Sequence, residues 1–221
     1  MIDQAPLRDA TETRLRRAYG FEEVALVPGA VTVDPAEVEL STELAGFRLE
    51  IPFLAAAMDA VADAAFAVRL SRHGGVAFVN LEGLYTRYED ASPIIERVAA
   101  ADSGQAAAHL LAEAYEQPVR DELITALITR IKAEGGVAAV ATTPASAWHH
   151  AELAADAGAD LLLVQSQVSS ARHISTSNRV LSLADLTGGL RMPVLVGNTV
   201  SGEAAYQLMH QGAAAIFVGV G

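Results

Sequence analysis

From Ile51 onward, short uncharged apolar runs alternate with longer amphipathic stretches, and most are closed off by glycine or a capping residue. Pro52–Ala57, Val76–Val79, Val137–Ala141, Leu161–Val164, Pro193–Val196 and Ala214–Val218 are apolar without strict alternation, as expected of strands covered on both faces. Asp63 is placed to cap a helix that ends at His73-Gly74-Gly75. Thr143-Pro144 marks a helix start that runs to Gly158, and Ser201 with Glu203 opens a helix that ends at Gly212. Asp156–Val164 and His210–Val218 repeat one unit: helix end, glycine, alanine, apolar strand. Between the second and third strands, Pro93–Ala101, Gln105–Glu116 and Arg120–Glu134 predict helices, with no glycine cluster to set off a separate domain.

The first fifty residues lack this rhythm. Thr11–Tyr19 predicts a short helix, Phe21–Pro28 turns into an apolar run, and Glu37–Ser41 with Phe47–Ile51 predicts a hairpin across Glu43–Gly46. Residues 1–50 are therefore expected as an extension and hairpin packing on a barrel of residues 51–221.

Six strands alternating with helices allow a doubly wound sheet or a (β/α)8 barrel. A dinucleotide-binding sheet needs a glycine-rich turn after its first strand. Here that turn is Ala57-Met58-Asp59-Ala60-Val61, without glycine, so the expected fold is a TIM (β/α)8 barrel cut after its sixth strand. The chain closes on Ile216–Gly221, an apolar strand running into two alternating glycines. Barrel enzymes bring ligands to such loops, so the reacting group is expected beyond Gly221, and the 221 residues alone are expected to be inactive.

Composition narrows the function further. Fifteen Lys and Arg against twenty-seven Asp and Glu give a net charge of −12, which repels a phosphate backbone, so nucleic acid is not an expected partner. No apolar stretch is long enough to span a bilayer and no signal segment opens the chain, so a cytoplasmic protein without membrane contact is expected. With no cysteine, these residues hold no disulfide or thiolate metal site. His149 and His150 are adjacent, not at ligand spacing, and read as helix surface. Tyr85, Arg87 and Tyr88 read as helix surface or a subunit contact. Lone His173 is weak as an anion contact, and Ser169 and Ser170 have no evident base.

Several segments, in this order, resemble the IMP dehydrogenase/GMP reductase family. They are Phe21–Pro28, Ile51–Val61, His73–Val76, Gly197-Asn198-Thr199-Val200 and Gly219-Val220-Gly221. Asn80–Asp90 and Leu163–His173 look closest to the bacterial members that lack CBS modules; a short helical stretch fills the place where others carry that pair.

The resemblance implies hydride transfer between a nicotinamide cofactor (NAD or NADP) and a purine nucleotide, through a Cys-linked intermediate. IMP oxidation to XMP leads; GMP reduction, or an inactive nucleotide-binding homologue, stands behind it. An FMN-dependent barrel is a more distant alternative and would be yellow. The resemblance further implies cofactor contacts from Gln165, Ser166, Asn198, Gly219, Val220 and Gly221, and substrate contacts from Ala56 and Met58. It also implies a monovalent cation such as K+ at the Gly221 carbonyl, and a homotetramer. None of the 221 residues is expected to be the nucleophile. Gln165 stands where the dehydrogenases usually carry Asp, leaving reaction direction and the choice of NAD or NADP open. From the residues alone, Asn198 suits a turn as well as a ligand, and Met58 suits a core.

Overall fold

The computed structural model describes residues 17, 19–172 and 181–219, and the chain divides into two compact units, Met1–Glu39 and Leu40–Gly221. In the first unit, single 3-10 turns span Phe21–Glu23 and Pro35–Glu37. Glu23 accepts from Arg17 at 2.6 Å and from the Gly20 N–H at 3.0 Å. The expected helix at Thr11–Tyr19 falls almost wholly outside the described residues.

The second unit opens with an antiparallel hairpin, β1 (Thr42–Leu44) and β2 (Phe47–Leu49). Its turn is the pair Ala45-Gly46, both at positive φ, the two-residue geometry that matches strand twist. The first strand therefore starts later than Glu37, because the turn sits at the far end of the expected Glu43–Gly46 stretch.

Six strands follow: β3 (Leu54–Ala55), β4 (Val76–Asn80), β5 (Ala139–Thr142), β6 (Leu161–Gln165), β7 (Val194–Thr199) and β8 (Ala215–Val218). They form one parallel sheet in strict sequence order, β3-β4-β5-β6-β7-β8. A doubly wound sheet reverses order near its middle. Here every connection steps the same way, and right-handed crossovers then place the helices on one face only. The opposite face must bury itself by curling, and the six strands form a curled half-barrel.

The side chains sort accordingly. Ala77, Val79, Val140, Leu162, Val164, Val194 and Val196 face the helix layer and pack with Ile124, Ile128, Ile131 and Leu186. The alternate positions Val76, Phe78, Ala139, Ala141, Leu161, Leu163 and Leu195 form the interior, joined by Leu49 from the hairpin. Leu44 and Phe47 pack there too, so the hairpin covers the interior cluster, and Phe78 meets Phe217 edge-on at 5.5 Å.

The helices are α1 (Ala64–Arg72), α2 (Ser92–Ala99), α3 (Gly104–Tyr115), α4 (Asp121–Ala133), α5 (Ala147–Asp156), α6 (Leu183–Gly189) and α7 (Gly202–His210). Asp63 caps α1 through a 2.6 Å bond from the Phe66 N–H, and Ser201 caps α7 through Ala204. Helix α5 begins at Ala147 rather than at Thr143-Pro144, which form a preceding turn closed by Ser146 N–H to the Thr143 carbonyl. The side chain of Thr143 is committed instead to Glu82, so it does not cap the helix. No helix among the described residues is long and apolar enough to cross a membrane.

Candidate functional site

Parallel strands send all their carboxyl tips to one rim, and the polar residues of this sheet gather there. A cavity of about 370 Å³ is lined by Ala57, Asn80, Ala141, Thr142, Thr143, Gln165, Ser166, Gln167 and Asn198. These residues come from the tips of β4 to β7 and from the loop after β3. Gln165 closes β6 and donates through Nε2 to Asn198 Oδ1 at 3.1 Å, linking neighbouring strand tips with one amide pair. The β7–β8 register shifts between Val196 and Thr199, and this irregularity carries Asn198. Bulges of this kind re-aim a side chain, which here meets Gln165.

The loop after β6 is laced to β7. Ser166 N–H donates to the Gly197 carbonyl at 2.8 Å, Asn198 N–H to the Ser166 carbonyl at 3.1 Å, and Ser169 N–H to the Asn198 carbonyl at 2.6 Å. Ser169 Oγ adds a 2.5 Å bond to the Gly197 carbonyl and lies 3.0 Å from Ser166 Oγ. Ser166 is therefore held by structure on two sides while still lining the cavity. Gly219 follows β8 on the same rim with φ +110, and its N–H donates to the Thr199 carbonyl at 2.8 Å.

The substrate positions expected from resemblance are placed differently. Ala57 lines the cavity, whereas its neighbour Ala56 is exposed and Met58 is largely exposed outside the lining. Val220, Gly221 and His173 lie outside the described residues. Among the described residues no group of three or more His, Asp or Glu side chains is arranged to hold a metal ion.

Beside the cavity, Glu82 forms a polar knot that the sequence did not announce. Its Oε1 accepts from Thr142 Oγ1 at 2.9 Å, Thr143 N–H at 2.8 Å and Thr143 Oγ1 at 2.9 Å. Burial alone would raise this carboxyl, but the three bonds outweigh it and the net shift is downward from 4.5. His150 Nδ1 lies 2.7 Å from Thr142 Oγ1. The Thr142 hydroxyl proton is already given to Glu82, so the oxygen accepts and His150 carries its proton on Nδ1.

His150 is only 4% exposed, correcting the surface reading; its neighbour His149 is exposed and pairs with Asp121 at 2.9 Å. Burial is the main cause that holds the His150 ring below its ordinary 6.5. Tyr85 and Tyr88 are half-buried rather than fully on the surface, and both pack on a small core of Leu84, Ala91 and Ala114.

Asn80, Thr142 and Thr143 were missed by reading motifs alone. The available signal was position: each ends, or directly follows, an apolar run at the rim where Gln165 and Asn198 stand. A second cavity, of about 430 Å³, lies against the helix-facing strand residues Val164 and Val196, with Leu183 and Leu208. It meets the first at Thr143 and Ser166, but its walls are mainly apolar.

A sequentially wound parallel sheet with its polar cavity at the strand tips defines the scaffold of a (β/α)-barrel enzyme. Within that class the chain belongs to the IMP dehydrogenase / GMP reductase family, whose domain profile matches residues 18–221. An uncharacterized oxidoreductase of Mycobacterium tuberculosis is 32% identical over 210 residues, covering 93% of this chain and 56% of the relative. An inosine-5'-monophosphate dehydrogenase of Methanocaldococcus jannaschii is 43% identical over 65 residues, 29% of this chain and 13% of that enzyme. The crystal structure of an IMP dehydrogenase/GMP reductase-like protein from Corynebacterium glutamicum superposes with a TM-score of 0.87 at 30% identity. That match covers 94% of this chain and 55% of the other. The chain thus spans about half the length of the long-matching relatives, which are oxidoreductases by name or family.

Proposed function

We propose that the protein is a purine-nucleotide oxidoreductase, exchanging a hydride between a nicotinamide cofactor and the purine of IMP or GMP. The observation that carries this reading is the amide pair Gln165–Asn198 at the mouth of a cavity lined by uncharged hydrogen-bonding groups. Asn80, Gln165 and Asn198 offer neutral donors and acceptors, which suit the edge of a purine or a carboxamide better than a free phosphate. NAD or NADP, when bound, supplies or accepts the hydride. The chain's own residues would hold the rings: Gln165, Ser166, Asn198 and the glycine loop that begins at Gly219 would contact the cofactor, and the Ala56–Met58 loop would contact the purine.

The nucleophile of this reading is a Cys thiolate outside these 221 residues, since none of them is Cys. Its addition to C2 of the purine allows hydride departure, and water then releases XMP. In the opposite direction GMP loses ammonia and takes up a hydride. Gln165, where the dehydrogenases usually carry Asp, holds ribose hydroxyls less firmly than a carboxylate would, so both directions and both cofactors belong in the assay. A K+ ion near the Gly221 carbonyl and a cytoplasmic homotetramer complete the proposal.

The test is the full-length protein assayed at the nicotinamide absorbance with IMP plus NAD and with GMP plus NADPH. Turnover in either pair is expected. No turnover and no nucleotide binding would overturn the reading.

A further inference from the structure

We propose that Tyr115, at the end of α3, is a positioning residue for the nucleotide site: through Asp59 it fixes the loop that carries Ala57 and Met58. This rests on the functional reading above and adds a control element to it. Tyr115 Oη donates to Asp59 Oδ2 at 2.5 Å, across 56 residues of chain. The same oxygen accepts from the Leu84 N–H at 2.9 Å, and Tyr85 Oη donates to the Asp59 carbonyl at 3.3 Å. Met58 in turn accepts from the Val61 and Ala62 N–H groups at 2.8 and 2.9 Å, so the loop moves as one piece with Asp59. Ala57, two residues before Asp59, lines the cavity.

The clasp is anchored at its far end. The Arg87 guanidinium lies over the Tyr115 ring at 5.0 Å and donates to the Glu82 carbonyl and to the Gln117 carbonyl. Tyr88 Oη donates to the Ala114 carbonyl at 2.9 Å, and Leu84, Ala91 and Ala114 pack beneath. The end of α3 is therefore fixed to the same loop that supplies Leu84 to Asp59.

Packing alone does not account for this arrangement. Asp59 Oδ1 is buried and has no partner among the described residues, and a buried carboxylate oxygen left so costs free energy that an apolar side chain would avoid. It is pressed against Gly83, where a Cβ would fall 1.9 Å away. The carboxylate is thus confined at Oδ1 by Gly83 and held at Oδ2 by two donors, the Leu84 N–H and the Tyr115 hydroxyl. Burial, and then the bond to Asp59, raise the Tyr115 phenol above its ordinary 10, so it stays a donor at neutral pH.

Tyr115→Phe removes the hydroxyl and keeps the ring under Arg87. In the full-length protein, amide exchange of residues 56–62 and of Leu84 is expected to quicken about tenfold, with the strands β5 and β6 unchanged. The KM for IMP or GMP is expected to rise about tenfold, while kcat and the nicotinamide KM stay within about twofold. Gly83→Ala, whose added methyl would displace the carboxylate from both donors, should reproduce both effects.

Unchanged exchange at 56–62, or exchange that quickens equally everywhere, overturns the positioning role while leaving the functional reading intact. Quickened exchange with an unchanged nucleotide KM overturns it as well. A wild-type protein that binds neither IMP nor GMP removes the functional reading, and the positioning role with it.

Discussion

At the scale of single residues, the chemistry near the cavity is set by who gives the proton to whom. Thr142 passes its hydroxyl proton to Glu82 and receives one from His150, so one threonine joins a carboxylate to an imidazole 3.8 Å away. Both titrating groups push stability the same way. His150 is held below 6.5 in the folded protein, so below that pH the unfolded chain takes up a proton the folded one resists, and stability falls. Glu82 is held below 4.5, so its contribution is present above that value and is lost as pH falls through its lowered folded value. The urea midpoint is therefore expected to drop steadily from pH 7 to pH 4. His150→Asn, which retains a donor toward Thr142 but does not titrate, should flatten the fall that sets in below pH 6.5. An identical slope in the variant would remove His150 from this account.

At the scale of elements, the hairpin matters beyond its eight residues. Leu49 is buried at 4% exposure within the strand-interior cluster that includes Val76, Phe78 and Leu161. The interior face of a curled sheet has no helices to cover it, and the hairpin supplies part of that cover. Leu49→Ala is expected to cost about 2–4 kcal/mol in denaturant unfolding. Leu40→Ala, at a residue just outside the hairpin that is largely exposed, should change little. Equal effects at the two positions would mean the hairpin is not part of the core.

Elements also show where pattern reading worked. All six strand positions were visible as uncharged runs; β4 to β7 are largely buried on both faces, which disfavours charge at either parity, while the edge strands β3 and β8 leave Leu54 and Val218 exposed. Helix ends were visible where a cap does the work, as at Asp63 and Ser201. The start of α5 was misplaced because Thr143 has two possible bonding partners, and Glu82, 61 positions earlier, takes it. A contact of that separation leaves no mark on the local pattern. The same holds for His150, whose burial depends on β5 and Glu82, and for Asp59, whose partners come from Leu84 and Tyr115. Among the site residues, Gln165 and Asn198 were named from motif and meet at 3.1 Å, whereas Ala56 and Met58 fall outside the cavity lining.

At the scale of the whole molecule, β8 is the last strand in the sheet order, and Val218 on it is 81% exposed. Tyr206 and Met209 of α7 are also largely exposed. Among the described residues no strand pairs with this edge of β8, and a parallel edge with apolar side chains is a template for association. The 221-residue chain is expected to show concentration-dependent self-association in sedimentation velocity, and Val218→Lys should reduce it. A monodisperse monomer at all concentrations would show that this edge is not sticky.

The order of apolar runs and caps by itself determined that a parallel α/β protein would form, since burial on both faces and helix termination are local demands written residue by residue. It also determined the family resemblance, through motifs that are contiguous in the chain. Only the tertiary structure decided which residues share the rim, because strand tips dozens of positions apart become neighbours only when every crossover turns the same way. The Glu82–Thr142–His150 knot and the Tyr115–Asp59 clasp belong to that second kind. Their energies come from donors and acceptors brought within 3 Å by contacts between distant segments, and no local periodicity encodes such a distance.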